Sequence, residues 1–496
     1  MGLPDVDDPI VDLFAAEASA LLAWTVYLLR EPLNEVSPLI VKRVQREIDR
    51  RILTPLENRH FGWMGFNGKG RRPNNWNPWI VSNWLTSVLV CEEDQDRRVA
   101  QVRKALESVD HFLDPYPADG GCDEGPGYWN RAGGTVFDCL EILNSATDGQ
   151  IDLWDDPLIV NIGTFIYRTH IHDRYFVNFA DAAARVGISP AVVFGYGKRI
   201  GDADMMALGA WGAQEQSISQ MGLEDSLGRV LRGVPLVEDM LTYDPRQPRP
   251  RDAWLPDIQV MVARDEGGSE AGFFVAAKGG NNEESHNHND VGNFVVYVDG
   301  KPLIVDIGVE DYTSQTFGPN RYEIWTMRSS FHSVPTINGV EQAPGAQFAA
   351  GNVQYRVDDD GAELEMDLVN AYPGEAKVQS WQRSIRMDRG DGLTVVDRYG
   401  LDGVTGDLTM SLMTPSEVLV QDGVVTLSAL RLDDERESAD GKVLFDAELF
   451  EVRVEDYPLA GVSFKRGNPW GERLTRVVFT VKEPKDEGEW TIRIAR

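Results

Sequence analysis

Two histidines two residues apart, His286 and His288, stand in the stretch SHNHND, Ser285–Asp290. The whole chain has seven histidines, so two in one hexapeptide call for a chemical reason. The stretch runs into VGNFVVYVDG, an alternating apolar segment that ends at an Asp299-Gly300 turn. The next such segment, KPLIVDIG, brings back Asp306, and His332 follows in RSSFHSVPTING. Read as a strand, SHNHND points residues two apart to one face, so His286 and His288 converge on one site. Two histidines, an aspartate and a water suit four-coordinate zinc. The competing reading is two solvated loop histidines and one buried histidine. Asp290 fits a carboxylate that orients the His288 imidazole. A second HxH, His170 and His172, lies in YRTHIHDRYF. Read as helical, it puts its histidines on different faces, so no metal site is expected there.

The elements that must position these groups fall into two halves. Residues 1–243 read as α-helical. AAEASALLAWTVYLLREPL has apolar residues at helical spacing and is expected to stop near Pro32. SPLIVKRVQREIDRRILTPL repeats the pattern, with Ser37 as N-cap and Pro38 at the first helical position. Further helices are predicted over 78–90, 97–113, 135–146, 157–167, 190–199 and 202–213, with no short repeat among them. The loops HFGWMGFNGKGRRPNNWNPW and DGGCDEGPGYWNRAGG are rich in aromatics, Asn and Gly, and suit a sugar-stacking surface. A Pro-rich linker is expected over 244–256. From 257 to 496 the period becomes alternating, with DG, GD and NG turns, and an antiparallel β-sandwich is expected. The fold class is therefore α+β multidomain.

Composition narrows the partners. The chain has 496 residues, 42% hydrophobic and 26% charged, enough to bury large cores in two domains. A net charge of −31 argues against nucleic acid and anionic membranes. It also repels a polyanionic substrate unless a groove is locally basic, as Lys69, Arg71 and Arg72 in NGKGRRPNN would make it. Cys91, Cys122 and Cys139 fit neither CxxC nor a disulfide framework, which points to a reducing, cytoplasmic setting. No unbroken apolar run of transmembrane length is present, so no membrane span is expected. The start, MGLPDVDDPIVDLF, is acidic and unlike a signal peptide. It reads like the middle of a helical domain, so the natural protein is expected to begin earlier.

Six segments occur in a telling order. They are NNWNPW (Asn74–Trp79), DEGPGYWNRAGG (Asp123–Gly134), YFVNFADA (Tyr175–Ala182), LPDIQVMVARD (Leu255–Asp265), SHNHNDVGNFVVYVDGKPLIVDIG (Ser285–Gly308) and NRYEIWTMRSSFHSVPTING (Asn320–Gly339). As an ordered set they resemble the heparinase II/III superfamily of polysaccharide lyases. The resemblance implies an (α/α) toroid, an incomplete barrel of helical hairpins, followed by the sandwich. It implies β-elimination beside a uronic acid, on a uronate-containing oligo- or polysaccharide such as a glycosaminoglycan or an alginate-like chain. It implies one structural metal, usually zinc, held by His288, Asp306 and His332, with His286 facing substrate. A homodimer is compatible with it.

β-Elimination takes the C5 proton of a uronate and breaks the C4–O bond. The carboxylate must be neutralised as an enolate-like species forms, and a base and an acid must be supplied. Carried over by position, Tyr128 in GPGYW is the acid and a candidate base. As a base it needs positive charge nearby, because a phenol ordinarily titrates near ~10. Asn74 and Asn75 are placed to grip the carboxylate through amide donors. Relatives often carry a histidine after that asparagine, and this chain has Trp76, which shifts weight to Tyr128 and His286. Arg72, Trp76, Glu124, Tyr322 and Arg328 are further substrate-binding candidates. Arg328 would grip a carboxylate or pair with a neighbouring acid, and Asn178 and Asp181 fit the cleft or plain core packing.

Three rivals remain. A glycoside hydrolase on the same frame would use two of Asp123, Glu124 and Asp181. A zinc hydrolase would use His286, His288, Asp306 and His332 around a metal-bound water. A non-catalytic glycan-binding protein would need none of this chemistry.

Overall fold

The computed structural model describes residues 5, 7–66, 68, 72–216 and 226–496. Lys69 and Arg71 of the basic cluster lie outside the described residues. The chain divides into a helical unit, Met1–Cys122, Tyr128–Thr164 and Ile188–Arg246, and a sheet unit, Asp123–Gly127, Phe165–Gly187 and Gln247–Arg496. A single cut at 243 is therefore too simple, because two earlier segments belong with the sheets. Nor is 244–256 all linker: Asp252–Leu255 is a strand paired with Val260–Arg264.

In the helical unit four helix starts carry a side-chain cap. Asp12, Asp94 and Asp202 accept a bond from the backbone N–H three residues on, at 2.8, 2.8 and 2.7 Å. Ser37 caps Pro38–Ile48, with the proline at its first position. The helix Leu13–Val36 does not stop at Pro32 but runs through it. Leu29 leaves helical geometry (φ −118, ψ 18), the kink a proline imposes on the turn before it. By length and composition this helix could cross a membrane, which the lack of an unbroken apolar run did not anticipate. It packs on Trp76–Cys91 through Ala16, Ala20, Ala23 and Val26, with Ser19 Oγ 2.8 Å from Ser87 Oγ. Trp76–Cys91 buries Ile80, Val81, Trp84, Leu85 and Val88, as a helix apolar on all sides must. It pairs with Gln95–Leu113, and Pro190–Ile200 pairs with Ala203–Glu215. Successive helical pairs of this kind make an incomplete (α/α) toroid.

The sheet unit is antiparallel throughout its large sheets. One sheet runs, in order, Asp252–Leu255, Val260–Arg264, Phe273–Lys278, Phe294–Val298 and Lys301–Ile304. An eight-stranded sheet includes Gly361–Asp367, Val378–Asp388, Gly392–Leu401 and Glu487–Ala495, and a four-stranded sheet includes Thr409–Thr414 and Arg473–Val481. Met261, Val275, Leu364, Ile385, Met410 and Phe479, from all three sheets, share one core. The strands of the eight-stranded sheet alternate buried and part-exposed, as a single buried face requires. Val260–Arg264, Phe273–Lys278 and Phe294–Val298 are instead buried on both faces. The segment Phe165–Gly187 covers their outer face: Tyr175 lies 5.6 Å from the Tyr297 ring, and Arg264 donates to the His170 carbonyl. Asp299 and Gly300 turn the hairpin at φ 51 and 75, the left-handed pair that a tight two-residue turn needs.

The core also holds a charge. Arg383 is fully buried and forks onto Asp397 at 2.9 and 2.8 Å, and Trp381 and Trp490 donate to the same carboxylate. Its third nitrogen reaches the carbonyls of Gly292 and Ser333 at 2.9 and 2.8 Å. Those residues border SHNHND and His332, so this pair anchors both histidine loops from below. Arg383→Met leaves Asp397 as an uncompensated buried charge and is expected to cost about 3–5 kcal/mol. Urea unfolding followed by tryptophan fluorescence measures it, and a loss under about 1 kcal/mol would contradict the assignment.

Candidate functional site

SHNHND is a loop, not a strand. Its two ends are fastened by one buried lysine at the end of Phe273–Lys278. Lys278 Nζ lies 2.8 Å from Glu284 Oε2 and 2.9 Å from Asp290 Oδ1. Burial alone would lower the lysine, but the two carboxylates outweigh it and keep it charged. Gly280 takes φ 73, a left-handed backbone that favours glycine, and a Cβ there would also press on the Glu284 carboxylate. Asp290 is therefore engaged by Lys278 and does not hold His288, as the sequence had suggested.

His288 is held instead by Asp181. Its Nε2 lies 3.0 Å from Asp181 Oδ1, while His286 Nδ1 lies 2.8 Å from Asp181 Oδ2. The two imidazoles do converge, but on opposite oxygens of one carboxylate. Arg321 donates to Oδ1 at 2.8 Å and the Tyr312 hydroxyl to Oδ2 at 2.9 Å. Burial would raise the Asp181 carboxyl, yet the bonds from His286 and His288 and the charge of Arg321 hold it well below the usual carboxylate range. An ionised acceptor fixes the tautomers: His286 donates from Nδ1 and His288 from Nε2.

That choice leaves His288 Nδ1 facing a second group. His288, Asp306 and His332 are fully buried, and one ligand atom from each lies within 4.8 Å of the others. His332 Nδ1 lies 2.9 Å from Asp306 Oδ2, which also accepts from Asn293 at 2.8 Å. Gly308 N–H and the Asn178 amide tie down the same aspartate at its Oδ1 and its carbonyl. Burial would lower His332, but Asp306 outweighs it and raises it. His288 Nδ1 and His332 Nε2 are buried and without a hydrogen-bond partner. Leaving two such atoms unmet costs about 1–3 kcal/mol each, and an ion meets both at once. The residues thus fit a metal ion with a nitrogen, nitrogen and oxygen donor set.

His286 lies outside that group. It takes φ 58, a left-handed backbone that a non-glycine residue adopts at a cost of about 1–2 kcal/mol. Its ring stacks on Tyr312 (5.9 Å, 13°), and the exposed ring of Phe317 meets both edge-on. Its Nε2 lies 3.6 Å from Glu124 Oε2. Glu124 is buried on a turn where Gly125 takes φ 82 and packs so closely on Ala182 that a Cβ would sit 2.7 Å from it. Lys465 donates to the Tyr312 hydroxyl at 3.0 Å and lies 4.1 Å over its ring. Burial pushes the Lys465 ammonium down to about 8, against the pull of Asp181 and Glu124.

The structure thus brings together His286, His288, Asp306, His332 and Glu124 in the sheet unit. Tyr322 is near as well: its hydroxyl lies 3.2 Å from Asn287 Nδ2. Arg328 is committed to Glu341. Tyr128, Asn74, Asn75, Trp76 and Arg72 belong to the helical unit. Tyr128 is half-buried on the short helix Pro126–Trp129. Asn75 precedes the helix Trp76–Cys91 and is buried, but its side chain makes no capping bond. Asn74 Oδ1 instead accepts from Trp76 N–H at 3.2 Å, and the Trp76 ring is exposed. Arg72 lies 4.6 Å over the Tyr116 ring. His170 and His172 are on a strand, not a helix, bonded to the Asp173 carbonyl and to Arg249 respectively.

Sequence reasoning missed Tyr312, Arg321, Phe317 and Lys465, and weighed Asp181 as a cleft residue or hydrolase acid, not as the carboxylate between the two histidines. Tyr312 and Arg321 lay within reach, between Asp306 and His332. Lys465 carries no local signal, standing 179 positions past His286 in the chain.

Residues 247–490 match the heparinase II/III-like C-terminal domain. Comparison with curated sequences gives no significant match. A mutant of the heparan sulfate lyase HepC from Pedobacter heparinus superposes with a TM-score of 0.68 at 15% identity, over 97% of this chain and 68% of that one. A heparinase III gives 0.70 at 14% identity, over 97% and 67%. The chondroitin AC lyase of Streptomyces coelicolor A3, solved with chondroitin sulphate, gives 0.55 at 11%, over 98% and 68%. At these identities the likeness is one of fold, and this chain spans about two-thirds of the length of each.

Proposed function

We propose that the chain, whose residues 247–490 match the heparinase II/III-like C-terminal domain, is a polysaccharide lyase that cleaves a uronate-containing glycan by β-elimination, leaving an unsaturated uronate end. The observation that carries this is His286, held at a left-handed backbone with its Nδ1–H on an ionised aspartate and its Nε2 3.6 Å from Glu124. A histidine locked in one tautomer and stacked on the Tyr312 phenol is equipped for acid–base chemistry. Asn75 neutralises the uronate carboxylate through its amide, Tyr128 moves the C5 proton and protonates the leaving oxygen, and His286 polarises that chemistry. Zinc is the ion that best suits His288, Asp306 and His332, and its contribution when bound is structural, since all three are closed off from solvent. Arg72, Asn74, Trp76, Glu124 and Tyr322 complete the substrate surface.

A glycosaminoglycan is the substrate class, by analogy of fold with the heparan sulfate and chondroitin lyases. The charge of −31 favours oligosaccharides or sparsely sulfated chains over a dense polyanion. Both rival reactions fit the residues less well. A hydrolase needs a carboxylic acid to protonate the leaving group, and because Asp181 is held ionised by four donors that acid would have to be Asp123 or Glu124. A zinc hydrolase needs an ion open to substrate, and its three ligands are buried. The test is ultraviolet absorbance of the unsaturated product over a panel of heparan, chondroitin, hyaluronan and alginate oligosaccharides. Shortened chains with no absorbance rise would end the proposal and favour hydrolysis.

Lys465 gives this reading a pH signature. Its positive charge supports a developing substrate anion and is lost as pH rises through about 8. The plot of kcat/KM against pH is expected to fall on that limb. Lys465→Arg, whose charge persists, moves the limb to higher pH. Lys465→Met removes the limb and lowers kcat/KM at neutral pH by about 10–100-fold, the worth of one charged hydrogen bond of about 1.5–3 kcal/mol. An unchanged limb in the arginine variant would remove Lys465 from the chemistry.

A further inference from the structure

The Asp181 carboxylate has four donors arranged in two pairs. His288 and Arg321 share Oδ1, and His286 and Tyr312 share Oδ2. The first pair includes a member of the metal-binding group, and the second contains His286 and the Tyr312 phenol stacked on it. A carboxylate is rigid and planar, so the two oxygens cannot be repositioned independently. Moving His288 turns the carboxylate, and turning the carboxylate moves His286. Both histidine side chains are thus bonded to this one carboxylate.

We propose that Asp181 is a positioning residue that couples metal occupancy to the placement of His286. The inference rests on the lyase reading for the role of His286, but not for the coupling itself. With an ion on His288 Nδ1, the ring is fixed, its Nε2–H stays on Oδ1, and the carboxylate presents Oδ2 to His286 at one angle. A histidine that donates its second N–H to a carboxylate is also a better ligand, so the coupling runs both ways. A plain ion pair between Asp181 and Arg321 would produce neither effect.

Cobalt(II) is the probe, because its visible absorption reports both affinity and ligand geometry. In titrations of the metal-stripped protein, Asp181→Asn is expected to weaken cobalt binding by about 10–100-fold and to shift the absorption bands. An amide has one acceptor oxygen and cannot serve both pairs. Arg321→Met should leave cobalt affinity within about twofold, because His288 keeps its acceptor. If Arg321→Met matches Asp181→Asn, or if Asp181→Asn binds cobalt normally, the proposal falls. A measurement on the unaltered protein guards against a misfolded variant. Modification of His286 by diethylpyrocarbonate, read by peptide mass, should slow about fivefold or more when cobalt(II) is added. Equal rates with and without cobalt would overturn the coupling. None of these readouts needs a substrate, so a failed lyase assay would leave them standing, and their failure would leave the lyase reading untouched. In the active enzyme, Asp181→Asn should lower kcat with KM little changed, since it acts through His286 and touches no sugar.

Discussion

Tyr128→Phe and His286→Gln proteins are expected to bind glycan and fail to cleave it. Positioned proton transfer contributes about 10²–10⁴-fold to rate, so each kcat should fall by that factor. Neither change disturbs a core. Tyr128 is half-buried, and its removal takes away one hydroxyl. His286→Gln keeps a polar side chain in reach of Asp181 and leaves the buried group of His288, Asp306 and His332 intact. Initial rates of product absorbance measure kcat, and isothermal titration with an oligosaccharide measures binding. The double variant should be little worse than either single one if the two residues serve one proton path. Additive losses, with each variant retaining the other's full contribution, would mean separate roles. Retention of full turnover in Tyr128→Phe would remove the assigned acid.

The second large effect concerns the metal group. His332→Ala removes the partner of Asp306, a carboxylate with no exposure to water. Breaking such a buried pair costs about 3–5 kcal/mol, a large share of the stability of an ordinary domain. Removing the ion with a chelator should act in the same direction, because an ion at a thousand times its dissociation constant contributes about 4 kcal/mol. Zinc content by elemental analysis and thermal unfolding with and without chelator check this. A protein that purifies without metal and is indifferent to chelator would overturn the assignment. Loss of metal from His288→Ala but not from His286→Gln would separate the two histidines of one hexapeptide.

Local patterns carried much of the fold. Helix starts at Ser37 and Pro38, the Asp299-Gly300 turn and the change from helical to alternating period follow from residues within one turn of each other. What local patterns could not carry is what depends on distant partners. Leu13–Val36 survives Pro32 because its alanine face packs on Trp76–Cys91. SHNHND is a loop because Lys278 draws its two ends together through Glu284 and Asp290. The same limit governs the site. His286, His288, Asp306 and His332 stand out by residue type and clustering. Asp181 is one carboxylate among 79 acidic residues, and only tertiary structure places it between two histidines more than 100 positions away. Lys465 and Tyr312 are ordinary residues until they meet.

The interleaving of the chain has a consequence for descent. Glu124 and Asp181 are encoded before the Pro-rich stretch, inside the mostly helical half, yet they fold with the sheets. A gene fusion or exchange that swapped the C-terminal half at residue 247 would carry His286 and His288 away from the carboxylate that orients them. Recombination at that junction is therefore penalised even where both halves fold. Inheritance of the two halves should be linked, and a transplanted C-terminal half should recover its histidine geometry only when its own counterpart of Phe165–Gly187 travels with it.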